Sequence, residues 1–222
     1  MASNTKHVTE NLELIGWGKY QQRTFLVCGL CWCNMLLWSA CISISLKETS
    51  VIWNLSNIQL GAIGSSHNIG IFIGCYFWGY IGNNYGRLIG LKSVFILNAV
   101  FGILYTCAVE FYMLCISSAI VGFCGGGAKV LSGALYLETL CKKQQWTLLL
   151  LTIFISLGGV LGYSFAVIVV AGGTRSINLW RWVGGFDIVL MVLTTLLLFT
   201  IFESPKFLVS RSKVEQANIV LV

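Results

Sequence analysis

The amino-acid sequence predicts an all-α membrane protein built as a bundle of six transmembrane helices. Three observations support this fold class: six long apolar stretches fill the 222 residues, hydrophobic residues make up 57% of the chain, and charged residues make up only 10%. Soluble domains carry about 25% charged residues. Each apolar stretch should form a helix, because lipid offers no hydrogen-bond partner to an unpaired backbone group.

The positions of the six spans follow from their length. A helix needs roughly 20 apolar residues to cross about 30 Å of hydrocarbon. The stretches of this kind are Thr24–Leu46, Gln59–Gly82, Leu91–Ala108, Phe111–Leu137, Trp146–Ala171 and Val183–Phe202. Short connections place all six in one bundle. The chain then divides into a cytoplasmic N-terminal segment (1–23), a six-span bundle (24–202) and a cytoplasmic C-terminal segment (203–222).

Positive charges predict that both termini of this multi-pass protein are cytoplasmic. With the N-terminus inside, the inner segments contain Lys6, Lys19, Arg23, Arg87, Lys92, Lys142, Lys143, Lys206, Arg211 and Lys213. The outer segments contain only Lys47, Arg175 and Arg181. This imbalance follows the positive-inside rule. We therefore interpret the net charge of +6 as a sign of topology, and not of nucleic-acid binding.

The nine cysteines predict neither a metal site nor a disulfide. All except Cys141 fall within spans, where a free cysteine behaves as a small apolar residue. Cys141 lies at the inner end of the fourth span, where palmitoylation is an open alternative. Asn54 begins the glycosylation sequon Asn54-Leu55-Ser56 in the first outer loop. It is the candidate glycosylation site.

The connection between the second and third spans carries the first family motif. It reads Gly79-Tyr80-Ile81-Gly82-Asn83-Asn84-Tyr85-Gly86-Arg87, and glycines at this spacing allow a tight turn. Gly79, Gly86 and Arg87 match the signature loop of the major facilitator superfamily, which the chain resembles here. Asn83 stands where that family has an acid. The resemblance implies a gating loop that helps to control the inward-closed state.

Other segments extend the resemblance to about Leu12–Val222. They are the glycine-rich Ile120–Gly127, the acidic end of the fourth span at Glu138, Trp180-Arg181-Trp182 before the sixth span, and Glu203-Ser204-Pro205-Lys206 after it. Their order is similar to the branch that holds synaptic vesicle glycoprotein two, the organic cation and anion transporters and the sugar porters. The resemblance also implies that Arg87 meets Glu138, and that 203–222 starts a central helical linker.

The resemblance implies one half, or a fragment, of a twelve-span secondary transporter. Such a protein moves a small organic solute by alternating access, exposing its site to each side of the membrane in turn. A second six-helix half, from the same or another chain, is the implied partner beside the lipid bilayer. The plasma membrane or an intracellular vesicle membrane is the implied location. The alternative is a degenerate, non-transporting partner or regulator, which Asn83 favours. No enzyme activity, cofactor or nucleic acid is expected.

Polar residues inside the spans are the candidate substrate-cavity residues: Asn34, His67 and Lys129. Ionisable groups in a span are costly and often functional. For Lys129 two interpretations stay open, a cavity cation and a side chain that extends to the inner interface. His67 is expected to be a hydrogen-bond donor between helices, with Asn34 as a partner. A proton sensor is the alternative for His67.

Asp187 lies about five residues into the predicted sixth span. We expect an interfacial ion pair with Arg181 or Arg175, and a proton-coupling role is the alternative. Small residues four apart permit close helix contact in lipid. The pairs Gly122/Gly126 and Gly158/Gly162 are therefore expected to pack helices together.

Overall fold

The computed structural model describes residues 18–141, 144–171 and 179–203. This part of the chain forms six helices: α1 Lys19–Ile52, α2 Asn57–Tyr85, α3 Arg87–Thr106, α4 Phe111–Thr139, α5 Thr147–Ala171 and α6 Leu179–Leu198. Five of them are long and apolar enough to cross a membrane. The exception is α2, which has the length but whose polar segment 65–68 and many glycines lower its hydropathy. The predicted all-α, six-helix fold class is confirmed.

Every predicted span overlaps one observed helix, but the ends differ. In the sixth span both ends lie four residues earlier than predicted, because α6 begins at Leu179 and ends at Leu198. The segment Trp180–Trp182 therefore lies in the first turn of α6 and not before it. Hydropathy locates apolar residues, whereas tryptophan and arginine at an interface continue a helix without raising its hydropathy. The shift places Asp187 deeper than the sequence predicted.

The helix contacts define two faces of the bundle. α1 and α4 pack on each other, α3 packs on α4, and α6 packs on both α1 and α3. These four helices form a closed ring. α2 lies outside it against α4, and α5 lies outside it against α1. One face is therefore formed by α1 and α4 with α2 and α5 at its sides, which we call the α1–α4 face. α3 and α6 form the opposite face.

Glycines let the two outer helices approach the ring closely. A Cβ atom at Gly122 or Gly126 of α4 would overlap a backbone carbonyl oxygen of α2. A Cβ atom at Gly158 of α5 would overlap the Cys33 carbonyl oxygen of α1, and one at Gly162 would meet α1 closely. The predicted packing role of both glycine pairs is confirmed, because each interface has no room for a side chain.

Candidate functional site

The candidate gating loop is shorter than the sequence predicted. α2 continues to Tyr85 and α3 begins at Arg87, so Gly86 alone separates them. Gly86 has a φ of 115°, a conformation that favours glycine. Gly79 and Asn83 lie within α2, and the expectation of a loop across them was wrong. Their glycine and asparagine content suggested a turn, but packing of α2 on α4 keeps the segment helical.

Arg87 joins neighbouring ends of α2 and α4. Its Nη2 atom lies 2.7 Å from Oε1 of Glu138, at the end of α4. Its Nη1 atom donates a hydrogen bond of 2.9 Å to the carbonyl oxygen of Gly82 in α2. The ion pair implied by the family resemblance is therefore present. Both charged side chains are only about one-fifth exposed (17% and 22%), so water screens the pair incompletely.

Glu203 adds a third charge to the same end of the bundle. Both of its carboxylate oxygens lie 3.1 Å from the backbone nitrogen of Leu88 and accept its hydrogen bond. A negative charge is favourable there, because unpaired N–H groups give the start of a helix partial positive charge. The sequence identified Glu203 only as the end of the sixth span and gave no sign of this partner. Ser204, Pro205 and Lys206 lie outside the described residues.

Arg87, Glu138 and Glu203 connect four helices. We call them the inner charged cluster, because the sequence predicts that this end of the bundle faces the cytoplasm. Arg87 links α2, α3 and α4, and Glu203 links the segment after α6 to α3. Each link lies at the same end of the bundle. Any separation of these helix ends must break at least one charge-assisted hydrogen bond, which is about twice as strong as a neutral one. The cluster can therefore hold these helix ends together.

Two of the three cavity candidates lie together inside the bundle. Asn34 and His67 are buried and line a small cavity with Trp38 and Asn98. The volume of the cavity is about 10 Å³, which is roughly the room that one water molecule needs. Asn34 also donates a hydrogen bond of 2.9 Å to the Thr194 hydroxyl of α6. In this arrangement the cavity has no room for an organic solute.

The cavity contains polar groups that are not satisfied by the protein. Within the described residues, Asn34 Oδ1, Trp38 Nε1, His67 Nε2 and Asn98 Oδ1 have no hydrogen-bond partner. His67 Nδ1 lies 3.3 Å from the Ser118 carbonyl oxygen, which assigns the ring proton to Nδ1 and makes Nε2 an acceptor. The lining can therefore bind a water molecule, which both donates and accepts hydrogen bonds. The sequence did not indicate Asn98, a single amide within an apolar span.

Lys129 lies apart from this cavity, on the α1–α4 face. Its side chain is exposed and lies between Gly125 and Gly133, four residues to either side on the same side of α4. The nearest α1 neighbours of those glycines are Met35 and Trp32 respectively. Lys129 is ten residues before the end of α4 at Thr139, or about 15 Å at the helical rise. The bundle therefore presents a cation near mid-depth, beside the groove between α1 and α4.

Asp187 does not form the expected interfacial pair with Arg181. It is completely buried, and neither carboxylate oxygen has a hydrogen-bond partner among the described residues. Arg181 instead donates a hydrogen bond of 2.9 Å from Nη2 to the Ala108 carbonyl oxygen. The expectation was wrong because α6 begins earlier than predicted, which carries Asp187 away from the interface. Arg175 lies outside the described residues.

The remaining sequence candidates lie at the surface or in the core. Asn54 is exposed in the turn between α1 and α2 with a φ of 48°, and its glycosylation stays a prediction. The sequon serine, Ser56, caps α2 by accepting a hydrogen bond from Gln59 N. All nine cysteines lie within the described residues and are free thiols. Cys141 is buried, and its palmitoylation stays an open alternative.

Three features define one six-helix half of a major facilitator transporter. They are the ring of four helices, the two outer helices packed through glycines, and the inner charged cluster at one end. The solved partially occluded inward-open structure of the xylose transporter XylE from E. coli has the same fold. It matches with a TM-score of 0.84 and 25% identity, over 92% of this chain and 53% of that chain. The model of the family "Sugar (and other) transporter" matches residues 6–222. The chain belongs to that family.

Two relatives confirm the predicted branch of synaptic vesicle glycoprotein-like and organic cation transporter-like proteins. The synaptic vesicle 2-related protein of Xenopus laevis is 30% identical over 219 residues, which are 98% of this chain and 39% of the relative. The organic cation/carnitine transporter 7 of Arabidopsis thaliana is 27% identical over 96% of this chain and 42% of its own. The chain thus spans about two-fifths of the length of these relatives.

Proposed function

We propose that this chain is the N-terminal half of a secondary transporter that moves a small organic solute by alternating access. The exposed side chain of Lys129 near mid-depth of α4 is the observation that supports this most directly. A charged group this far from a helix end is costly in lipid and normally faces water or a charged partner. The α1–α4 face would therefore line a water-filled pathway rather than contact lipid.

The second half of the pathway would be supplied by another six-helix bundle, from the same or another chain. In this fold the substrate site lies between two such halves, and rocking exposes it to each side in turn. The solved relative and the named relatives are about twice the length of this chain, which supports a second half. Under this proposal both termini are cytoplasmic, and the inner charged cluster holds the helix ends together while the inner side is closed.

The chemistry of the face indicates the class of solute. Lys129 would bind a carboxylate, a phosphate or another strong acceptor on the solute. Trp32 of α1 lies against Gly133, one turn from Lys129 along α4. Its Nε1 atom donates a hydrogen bond of 2.9 Å to the Ser132 hydroxyl, so its ring can pack against an apolar part of the solute. Asn34 and His67 would join the site when the helices that enclose their cavity separate. The proposed solute is therefore a small organic molecule with at least one anionic or strongly polar group.

Flux measured with the full-length protein in liposomes tests this proposal. We expect protein-dependent uptake of one member of a labelled panel of organic anions, sugars and organic cations. Lys129→Met should reduce that uptake at least tenfold, and Lys129→Arg should retain a larger part of it. Lys19→Met, which removes an exposed lysine at the start of α1, is the matched control and should leave uptake unchanged.

The competing function is that of a non-transporting membrane protein that regulates or binds another protein. Asn83, in place of the acid of the family motif, is the observation that favours it. Correctly folded protein that shows no flux with any solute class would support this alternative. Equal uptake by wild type and Lys129→Met would remove Lys129 from the pathway even if transport itself were present.

A further inference from the structure

Asp187 is a buried acid that the proposed pathway does not use. It is the only aspartate among the 222 residues, and its side chain is completely buried. It lies eight residues after the start of α6 at Leu179 and eleven before its end at Leu198. These separations are about 12 Å and 16 Å at the helical rise. Asp187 is therefore near mid-depth of its span.

Neighbouring residues on α6 show what surrounds this carboxyl group. Gly184 and Thr194 lie three residues before and seven residues after Asp187, on the same side of the helix. A Cβ atom at Gly184 would lie 3.4 Å from Cys41 Sγ of α1 and would overlap a methyl group of α3. The Thr194 hydroxyl accepts a hydrogen bond from Asn34 of α1. Asp187 is thus enclosed where α6 packs on α1 and α3.

No described cation compensates a charge at this position. Arg181, on the same helix, bonds to a backbone carbonyl oxygen of the loop after α3. Lys92 of α3 is directed to the other end of α6, where its Nζ atom lies 4.6 Å from the centre of the Phe199 ring. The one acid near the outer end of α1, Glu48, accepts a hydrogen bond of 3.2 Å from Trp180 N.

The titratable groups of the packed helices that lie toward the middle of the bundle with Asp187 are weak acids. α1 contributes the thiols of Cys33 and Cys41, and α3 contributes the hydroxyl of Tyr105, which hydrogen-bonds to Ser45. Along its whole length α5 carries no charged residue or histidine, and its one tyrosine, Tyr163, is exposed. Nothing in this set supplies a positive charge. An ionised carboxylate here would carry a full uncompensated charge, which is far more costly than a neutral carboxyl group.

We infer that Asp187 is a proton-binding site, occupied by a proton in the arrangement that the structure describes. Binding converts the carboxylate to a carboxyl group and takes the proton from water. Release returns the proton to water and requires water to reach Asp187, so α6 must move away from α1 and α3. Protonation and the separation of these helices are then thermodynamically linked, and each shifts the other.

Because Asp187 is the only aspartate among these 222 residues, its protonation can be measured directly with labelled aspartate. The full-length protein is labelled with aspartate that carries ¹³C at the side-chain carboxyl, and its NMR signal is followed as pH is raised from acidic to alkaline. A water-exposed aspartate is ionised near neutral pH. We expect one carboxyl signal with the chemical shift of the protonated form to persist near neutral pH. Asp187→Asn identifies this signal by its loss, whatever aspartates lie beyond the 222 residues.

Two results would overturn the inference. One is that the signal lost in Asp187→Asn has the shift of the ionised form near neutral pH, and the other is that this signal titrates in step with free aspartate. If Asp187→Asn does not fold, Asp187→Glu identifies the same signal, because it also removes the labelled aspartate while keeping an acid at the position. The matched control is Glu110→Gln, an exposed acid before α4, which should not change the aspartate signal.

A role for this proton in transport rests on the proposed function and has a separate readout. If both proposals hold, a pH gradient should alter uptake by wild type, and Asp187→Asn should abolish that dependence while retaining flux. A protonated Asp187 together with flux that ignores the pH gradient would refute coupling but keep the proton site. Absence of flux from every variant would refute the proposed function and leave the NMR result intact.

Discussion

The inner end and the middle of this bundle treat polar groups in opposite ways. At the inner end, Arg87 and Glu138 pair with each other, and Glu203 accepts the backbone hydrogen bond of Leu88. Near mid-depth, Asn98 and Asp187 are buried with oxygen atoms that have no hydrogen-bond partner within the described residues. Each of the three charges at the inner end has at least one partner, whereas Asn98 and Asp187 near mid-depth have oxygen atoms that are left unsatisfied.

The difference indicates what each region can do. A paired cluster stabilises one arrangement of helix ends, and breaking it has a defined cost. An unsatisfied buried group costs free energy in the same arrangement, and a proton, a water molecule or a solute can recover that cost. We therefore assign the maintenance of shape to the inner end and the binding of ligands to the interior. Substitutions in each region test this contrast.

The largest effect should come from Gly122→Leu, which disrupts the interior by forcing α2 away from α4. A side chain at this position would overlap the His67 backbone and ring. Overpacking costs about 3 kcal/mol or more where backbone must move. We expect a large loss of thermal stability in detergent, measured by tryptophan fluorescence. Gly61→Leu on α2, where a Cβ atom meets nothing within 4 Å, is the control and should change stability little.

A smaller effect should follow from reversing one charge of the inner cluster. Arg87→Glu places two acids together and removes a charge-assisted hydrogen bond, at a cost of about 2 kcal/mol. The double variant Arg87→Glu/Glu138→Arg should recover about half of that loss. A double-mutant cycle of unfolding free energies measures the recovery. Purely additive losses would show that the pair contributes nothing to stability.

The smallest change in stability should come from Asn98→Leu in the small cavity. It replaces an unpartnered buried amide by an apolar group of similar size, so we expect a change of about 0–1 kcal/mol, toward greater stability. Asn34→Leu should instead destabilise by about 1–2 kcal/mol, because it removes hydrogen bonds to Leu30 and Thr194. Equal losses in both variants would contradict the distinction between Asn34, whose amide nitrogen is hydrogen-bonded, and Asn98, whose amide oxygen has no partner.

The six helices, their approximate positions and the packing role of the glycines could be predicted from the sequence. Each depends on properties that are local or additive along the chain, such as hydropathy over about 20 residues or small residues four apart. The ion pair of Arg87 and Glu138 was also foreseen, because the resemblance to a family linked two motifs that the sequence separates. The predicted solute, coupling and topology remain proposals.

Apart from that ion pair, the tertiary structure alone decided which polar groups meet. Glu203 reaches Leu88 across 115 positions, and Asn34 reaches Thr194 across 160. A displacement of one helical turn, about 5.4 Å, would remove either contact without changing the hydropathy of any span. Because α6 begins about one turn earlier than predicted, Asp187 lies in the core and not at the interface. The sequence determines that the helices cross the membrane, because burial in lipid depends on composition, while packing to within an ångström determines where hydrogen bonds form.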